Sequence, residues 1–132
     1  MVNTDTNTTY SAGNGLSLSG TTFLMSGTYS GNFTATGDIT AYSDSRLKKD
    51  VKTIEGALDK TKALRGVEFT RISDDAKSIG VIAQELQAIL PECVKEESTG
   101  VLSVDSDNLT WYLINAVKEL KAEFDAYKAT HP

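Results

Sequence analysis

The run AYSDSRLKKD, residues 41–50, gathers in ten positions the side-chain types that move protons and stabilise charge. Ser43 offers a hydroxyl, Asp44 a carboxylate, and Arg46, Lys48 and Lys49 put three cations within four positions. A hydroxyl with a basic partner is the raw material of nucleophilic catalysis. Ser or Asp followed by solvated bases is equally how a helix start is written, with Ser43 or Asp44 as the cap. By residue type and spacing alone the second reading prevails, because a serine and a lysine five apart occur everywhere by chance.

Composition narrows the chemistry further. The only histidine, His131, is next to last, and the only cysteine is Cys93. A histidine triad, a His-rich metal site, a cysteine cage and an internal disulfide are all disfavoured on that ground. No cofactor or metal is expected, and Cys93 reads as a small core hydrophobe. A net charge of −5 argues against nucleic acid or anionic membrane as the main partner. No apolar run approaches the roughly 18–20 residues of a membrane span, and the N-terminus lacks the regions of a signal peptide. A soluble chain made in the cytoplasm is expected, and the text after Met1 reads like the middle of something longer.

The elements around this run obey two different rules. Residues 1–42 hold ten Thr, five Ser, six Gly and four Asn, and their only charges are Asp5 and Asp38. These residues are poor in helix interiors. The pieces GLSLSG, TTFLMSG, TYSGNFTATG and DITAY alternate instead, each of the first three closed by glycine, which predicts short strands and tight turns. Strands this short cannot stand alone. They predict an intertwined segment in which Leu16, Leu18, Phe23, Tyr29, Phe33 and Ile39 of several identical chains meet around one axis.

From residue 43 the text is that of a small mixed domain. KTIEGALDKTKAL predicts a helix, weakened by Gly56, and GVEFTRI a strand after a turn at Gly66. SIGVIAQ predicts a strand running directly into the helix AQELQAIL, which Pro91 stops. PECVKEE and VLSVDSDNL predict a hairpin around Ser98-Thr99-Gly100. After a cap at Asp107, residues 108–129 predict a long helix. Its Leu113, Val117, Leu120, Phe124 and Tyr127 are spaced 4, 3, 4 and 3, a heptad seam. Trp111, Ile114 and Ala116 widen the apolar face, Trp111 and Tyr112 read as core, and Lys118, Glu119, Lys121 and Glu123 read as flanking charges. One amphipathic helix packed on its own domain would show the same period. The first segment's need for partners favours a bundle between chains.

Three blocks in order, SDSRLKKDV, IGVIAQELQAILPECV and SVDSDNLTWYLINAVKEL, resemble the intramolecular chaperone domain at the C-terminus of phage tail fibres and tailspikes. That domain is also classed as the S74 self-cleaving peptidase family. The resemblance runs from residue 43 to about residue 121. It implies an α+β architecture: a β-rich trimeric shaft segment over 1–42, then a chaperone domain over 43–132 whose long C-terminal helix joins a trimeric coiled-coil-like bundle. Leu113, Val117, Leu120, Phe124 and Tyr127 would form that interface.

The family motif Ser-Asp-x-Arg-x-Lys stands complete as Ser43, Asp44, Ser45, Arg46, Leu47 and Lys48. The resemblance gives Ser43 and Lys48 the catalytic roles and places the cut at Tyr42–Ser43, with Asp44 and Arg46 as supporting residues. A lysine can act as base only when neutral, which desolvation and neighbouring cations favour; Arg46 and Lys49 would supply the cations. Backbone N–H groups of a helix beginning near Asp44 would stabilise the oxyanion. Gln84, Glu85, Asp105 and Asn108 also fall on family motif positions, but turn, cap and packing roles suffice for them. The implied partners are two further copies and the upstream fibre segment, with no nucleic acid and no membrane. The implied setting is a tail-fibre precursor assembled in the host cytoplasm, with the chaperone part released. A non-cleaving trimeric tip with a receptor-binding role is the alternative. A membrane-bound transcription factor released by the same domain is disfavoured by the missing span.

Overall fold

The computed structural model describes residues 9–132, and the chain divides into two compact units, Met1–Leu47 and Lys48–Pro132. Each has its own local order. The part of the 1–42 shaft reading that concerns residues 1–8 lies outside the described residues.

In the first unit β1 (Leu16–Ser19) and β2 (Thr22–Met25) pair antiparallel, Leu16 opposite Met25 and Ser19 opposite Thr22. Gly20 opens the two-residue loop at φ +61°, a left-handed conformation that a β-carbon would penalise. The Asn14 amide then extends the layer: Nδ2 donates to the Ser30 carbonyl (2.5 Å) and Oδ1 accepts from the Ser30 N–H (2.7 Å). The Tyr29 ring lies over Gly15 and Gly31, where a β-carbon would stand 3.1 and 3.2 Å from ring atoms. GLSLSG and TTFLMSG thus form strands as expected. TYSGNFTATG and DITAY do not, since among the described residues of this unit no further ladder offers them an edge. Leu16, Phe23, Tyr29, Phe33 and Ile39 remain exposed.

The second unit has three helices and two hairpins, with one small core between the helices and the second hairpin. Its elements are α1 (Ala57–Ala63), β3 (Val67–Thr70), β4 (Lys77–Gly80), α2 (Ala83–Ile89), β5 (Val94–Glu96), β6 (Leu102–Val104) and α3 (Ser106–Thr130). β3 pairs antiparallel with β4, and β5 with β6. Ala57, Leu86, Leu90, Cys93, Tyr112 and Ala116 are buried together, with Ile54, Leu58, Leu64, Val81, Ile89 and Leu109 packed around them. Cys93 is buried in this cluster, as expected, and that burial, with Glu92 and Asp105 adding to it, pushes its thiol up.

Three boundaries differ from the sequence reading. Gly56 sits outside α1 with φ +66°, so the helix opens at Ala57 rather than running through the glycine. The strand read over SIGVIAQ ends at Gly80, and the extended Ile82 caps α2 instead of joining a continuous strand. It finds its partner in β3, across the loop where Asp75 takes a φ of +55°. α3 starts at Ser106, earlier than expected, because Asp105 is held by its N–H to the Cys93 carbonyl (2.8 Å) and takes the cap position from Asp107.

Candidate self-cleavage site and assembly face

The run that opened the sequence reading folds as a single 3-10 turn, Ser45–Leu47, closed by the Leu47 N–H donating to the Asp44 carbonyl (3.0 Å). Asp44 governs it. Its Oδ1 accepts from the Arg46 backbone N–H (2.8 Å) and from Arg46 Nε (3.0 Å), while Oδ2 accepts from the far guanidinium nitrogen (2.8 Å). This fork pairs both charges. The Arg46 guanidinium holds the Asp44 carboxyl below the usual carboxylate range.

Arg46, one of the two cations expected beside Lys48, is paired with Asp44 in this turn. The expected helix is also only a turn. Tyr42 is 97% exposed, and Ser43, Asp44, Arg46 and Lys48 are exposed as well. Tyr42, Asp44, Arg46 and Leu47 line a shallow, largely apolar depression of about 400 Å³. The structure brings Asp44 and Arg46 together. Ser43 belongs to the first unit and Lys48 opens the second, so the division of the chain runs between them.

The second candidate surface lies on α3. This helix turns Leu109, Tyr112 and Ala116 inward, towards the core and α1. Leu113, Val117, Leu120, Phe124 and Tyr127 fall on another face and are 51–66% exposed. Trp111 and Ile114 are exposed beside them, so Trp111 is not core within the chain, whereas Tyr112 is. Ala116 belongs to the buried face, not the apolar outer one. Tyr127 also carries the His131 ring stacked on it, centroids 4.1 Å apart.

Glu119 is not the flanking charge the sequence suggested. Its carboxylate reaches α1, accepting from the N–H groups of Ala57 (3.2 Å) and Leu58 (2.6 Å). One turn earlier, Asn115 donates to the Ile54 carbonyl (3.0 Å). The signal for both was a polar pair four residues apart on the side of the helix away from the seam. Of the other motif positions, Asp105 caps α3 and accepts from Asn108 (3.1 Å), while Glu85 forms an exposed ion pair with Arg65 (2.5 Å).

Residues 43–95, from the exposed serine through α2 into β5, match the family described as chaperone of endosialidase, peptidase S74. The match to that family stops at residue 95 and so covers less than half of the chain. The motif turn opens the match, and β6 and α3 lie beyond it. The chain is similar to the long tail fiber protein Gp37 of Enterobacteria phages K3 and T2, 43% identical over 89 residues in each case. That similarity covers 61% of this chain and 7% of each relative. A third relative, Gp37 of Enterobacteria phage Ox2, is 32% identical over 108 residues, 74% of this chain and 42% of its own length. The chain thus spans a small part of the first two relatives. Among the described residues no helix is long and apolar enough to cross a membrane.

Proposed function

We propose that residues 43–132 act as a trimerisation chaperone for a phage tail fibre and free themselves from residues 1–42 by a single cut at Tyr42–Ser43. The observation that carries this reading is the complete Ser-Asp-x-Arg-x-Lys motif on an exposed turn at the first residue of the family match. The likeness to tail fibre proteins supplies the setting.

In this reading Ser43 Oγ attacks the Tyr42 carbonyl carbon through a five-membered ring. Lys48 takes the hydroxyl proton and passes it to the Ser43 nitrogen as the peptide C–N bond breaks. An ester joins Tyr42 to Ser43 Oγ until water adds to the acyl carbon, leaving a Tyr42 carboxylate and restoring the hydroxyl. The Asp44–Arg46 fork fixes the turn that presents Ser43. A neutral lysine is favoured by desolvation, and Lys48 is exposed in the single chain. Neighbouring copies would supply the cover, so cleavage would wait for assembly.

The exposed seam of α3 supports assembly as a homotrimer. Helices form in microseconds or less, whereas intertwined strands wait on non-local register. A domain that trimerises first raises the effective concentration of the shaft ends. Its later removal leaves the shaft kinetically trapped. The test is cleavage after refolding the full chain. Ser43→Ala and Lys48→Ala are expected to stay whole yet assemble. Lys48→Arg is expected to stay whole too, because a guanidinium cannot accept the serine proton. Full cleavage of Lys48→Arg would remove lysine as the base.

A further inference from the structure

α3 carries two surfaces at once. One is the exposed seam through Val117, Leu120 and Phe124; Asn115 and Glu119 project roughly opposite, at 100° per residue. This second pair grips the point at which the chain leaving the motif turn enters the core. α1 has only seven residues, and its cap position is Gly56, which has no side chain to satisfy the first N–H groups. Glu119 supplies both acceptors from more than sixty residues away, one carboxylate oxygen to each of two successive N–H groups. Asn115 fixes the carbonyl of Ile54 on the other side of the glycine. The contact is close because Ala57, fully buried at 0% exposure, places no bulk between the helices.

The anchored segment leads straight back to Lys48. Ile54 is only six positions after Lys48, at most about 20–22 Å of extended chain. That link includes Asp50 held at φ +54° and no regular element. Where Ile54 is held therefore limits where Lys48 can stand.

We propose that Asn115 and Glu119 are positioning residues for the self-cleavage, carrying the register of the assembled α3 helices to the segment that bears Lys48. This rests on the reading of Ser43 and Lys48 given above. Neither side chain takes part in the reaction; their effect is on the fraction of assembled chains in which Lys48 is placed to act. Replacing Glu119 by Gln keeps the side chain's size and one acceptor oxygen, but sets the amide N–H₂ against one of the two backbone N–H groups, donor facing donor.

The experiment refolds the full chain from denaturant and follows cleavage by denaturing gel while native mass reports assembly. Wild type, Glu119→Gln, Glu119→Asp and Asn115→Ala are compared. Amide exchange is measured in parallel on the same variants carrying Ser43→Ala. Glu119→Gln is expected to assemble as wild type does but to cleave at least tenfold more slowly, with Glu119→Asp recovering part of the rate. Exchange should quicken at residues 49–58 and stay unchanged at Leu86 and Leu90. Should Glu119→Gln fail to assemble, Asn115→Ala keeps the carboxylate cap and makes the same comparison. Cleavage of an assembled variant at the wild-type rate would overturn the proposal alone, as would exchange that quickens equally across α2. A wild-type assembly that stays whole would instead overturn the Ser43 and Lys48 reading, and the positioning role with it.

Discussion

Replacing Tyr112 by Phe removes one oxygen from the core and should change stability in a way that pH identifies. The Tyr112 hydroxyl donates to Glu92 Oε1, tying α3 to the turn Pro91–Cys93, while Lys60 lies 5.5 Å from the ring centroid. A hydrogen bond to a charged acceptor contributes about 1.5–3 kcal/mol. Phe keeps the ring, so the loss should be about 2 kcal/mol. For a domain this small that lowers Tm by about 8–16 °C.

The same bond raises Tyr112 from 10.0 to about 12, the Glu92 hydrogen bond acting first and burial second. An acid group raised on folding contributes stability that is whole below its unfolded value and is lost as pH climbs through the folded one. Wild type should therefore lose about 2–3 kcal/mol between pH 10 and pH 12 from this group. Glu92 is lowered from 4.5, chiefly by the Tyr112 hydroxyl, so its contribution holds above pH 4.5 and fades as pH falls through the lower folded value. Guanidinium unfolding at pH 3, 7 and 11, with Ser43→Ala as the common background, reads all three regimes. Tyr112→Phe should be weaker at pH 7 and show shallower losses at both extremes. An unchanged midpoint at pH 7, or an alkaline loss as steep as in wild type, would refute the role given to this pair.

Leu120→Asp should abolish the proposed trimer, in which three carboxylates without partners would meet at the seam at a cost of about 3 kcal/mol or more. Native mass spectrometry or light scattering reads this, and an intact trimer would move α3 off the interface. Asp44→Asn should slow cleavage modestly without stopping it, since it removes the charge that the Arg46 guanidinium pairs with while the proposed nucleophile and base remain. A denaturing-gel time course measures it, and complete loss of cleavage would give Asp44 a larger part than turn geometry.

Local signals were legible wherever one residue type decided the outcome. Pro91 marked the end of α2, Gly100 the β5–β6 hairpin, and the run without Gly or Pro most of α3. What escaped the sequence were arrangements set by distant partners. Gly56 seemed a weak point inside a helix because nothing nearby announced that Glu119 would cap the next residue. The β3–β4 pairing escaped for a similar reason, its loop turning at Asp75 rather than at a glycine. Arg46 looked like a cation for Lys48, yet Asp44 two residues earlier takes its charge, a pairing set by the turn's geometry. The period of 113–127 was plain in the sequence. Which face of α3 meets its own core was not, because Leu109, Tyr112 and Ala116 form an equally good stripe.

The central claim is a cut that depends on Ser43 and leaves it at the head of the released domain. Its most direct test is the intact mass and N-terminal sequence of the products after the full chain has refolded and assembled. The account predicts two species, residues 1–42 ending in the Tyr42 carboxylate and residues 43–132 beginning with Ser43. A product beginning at any other residue, or an assembled chain that stays whole at 132 residues, would contradict it.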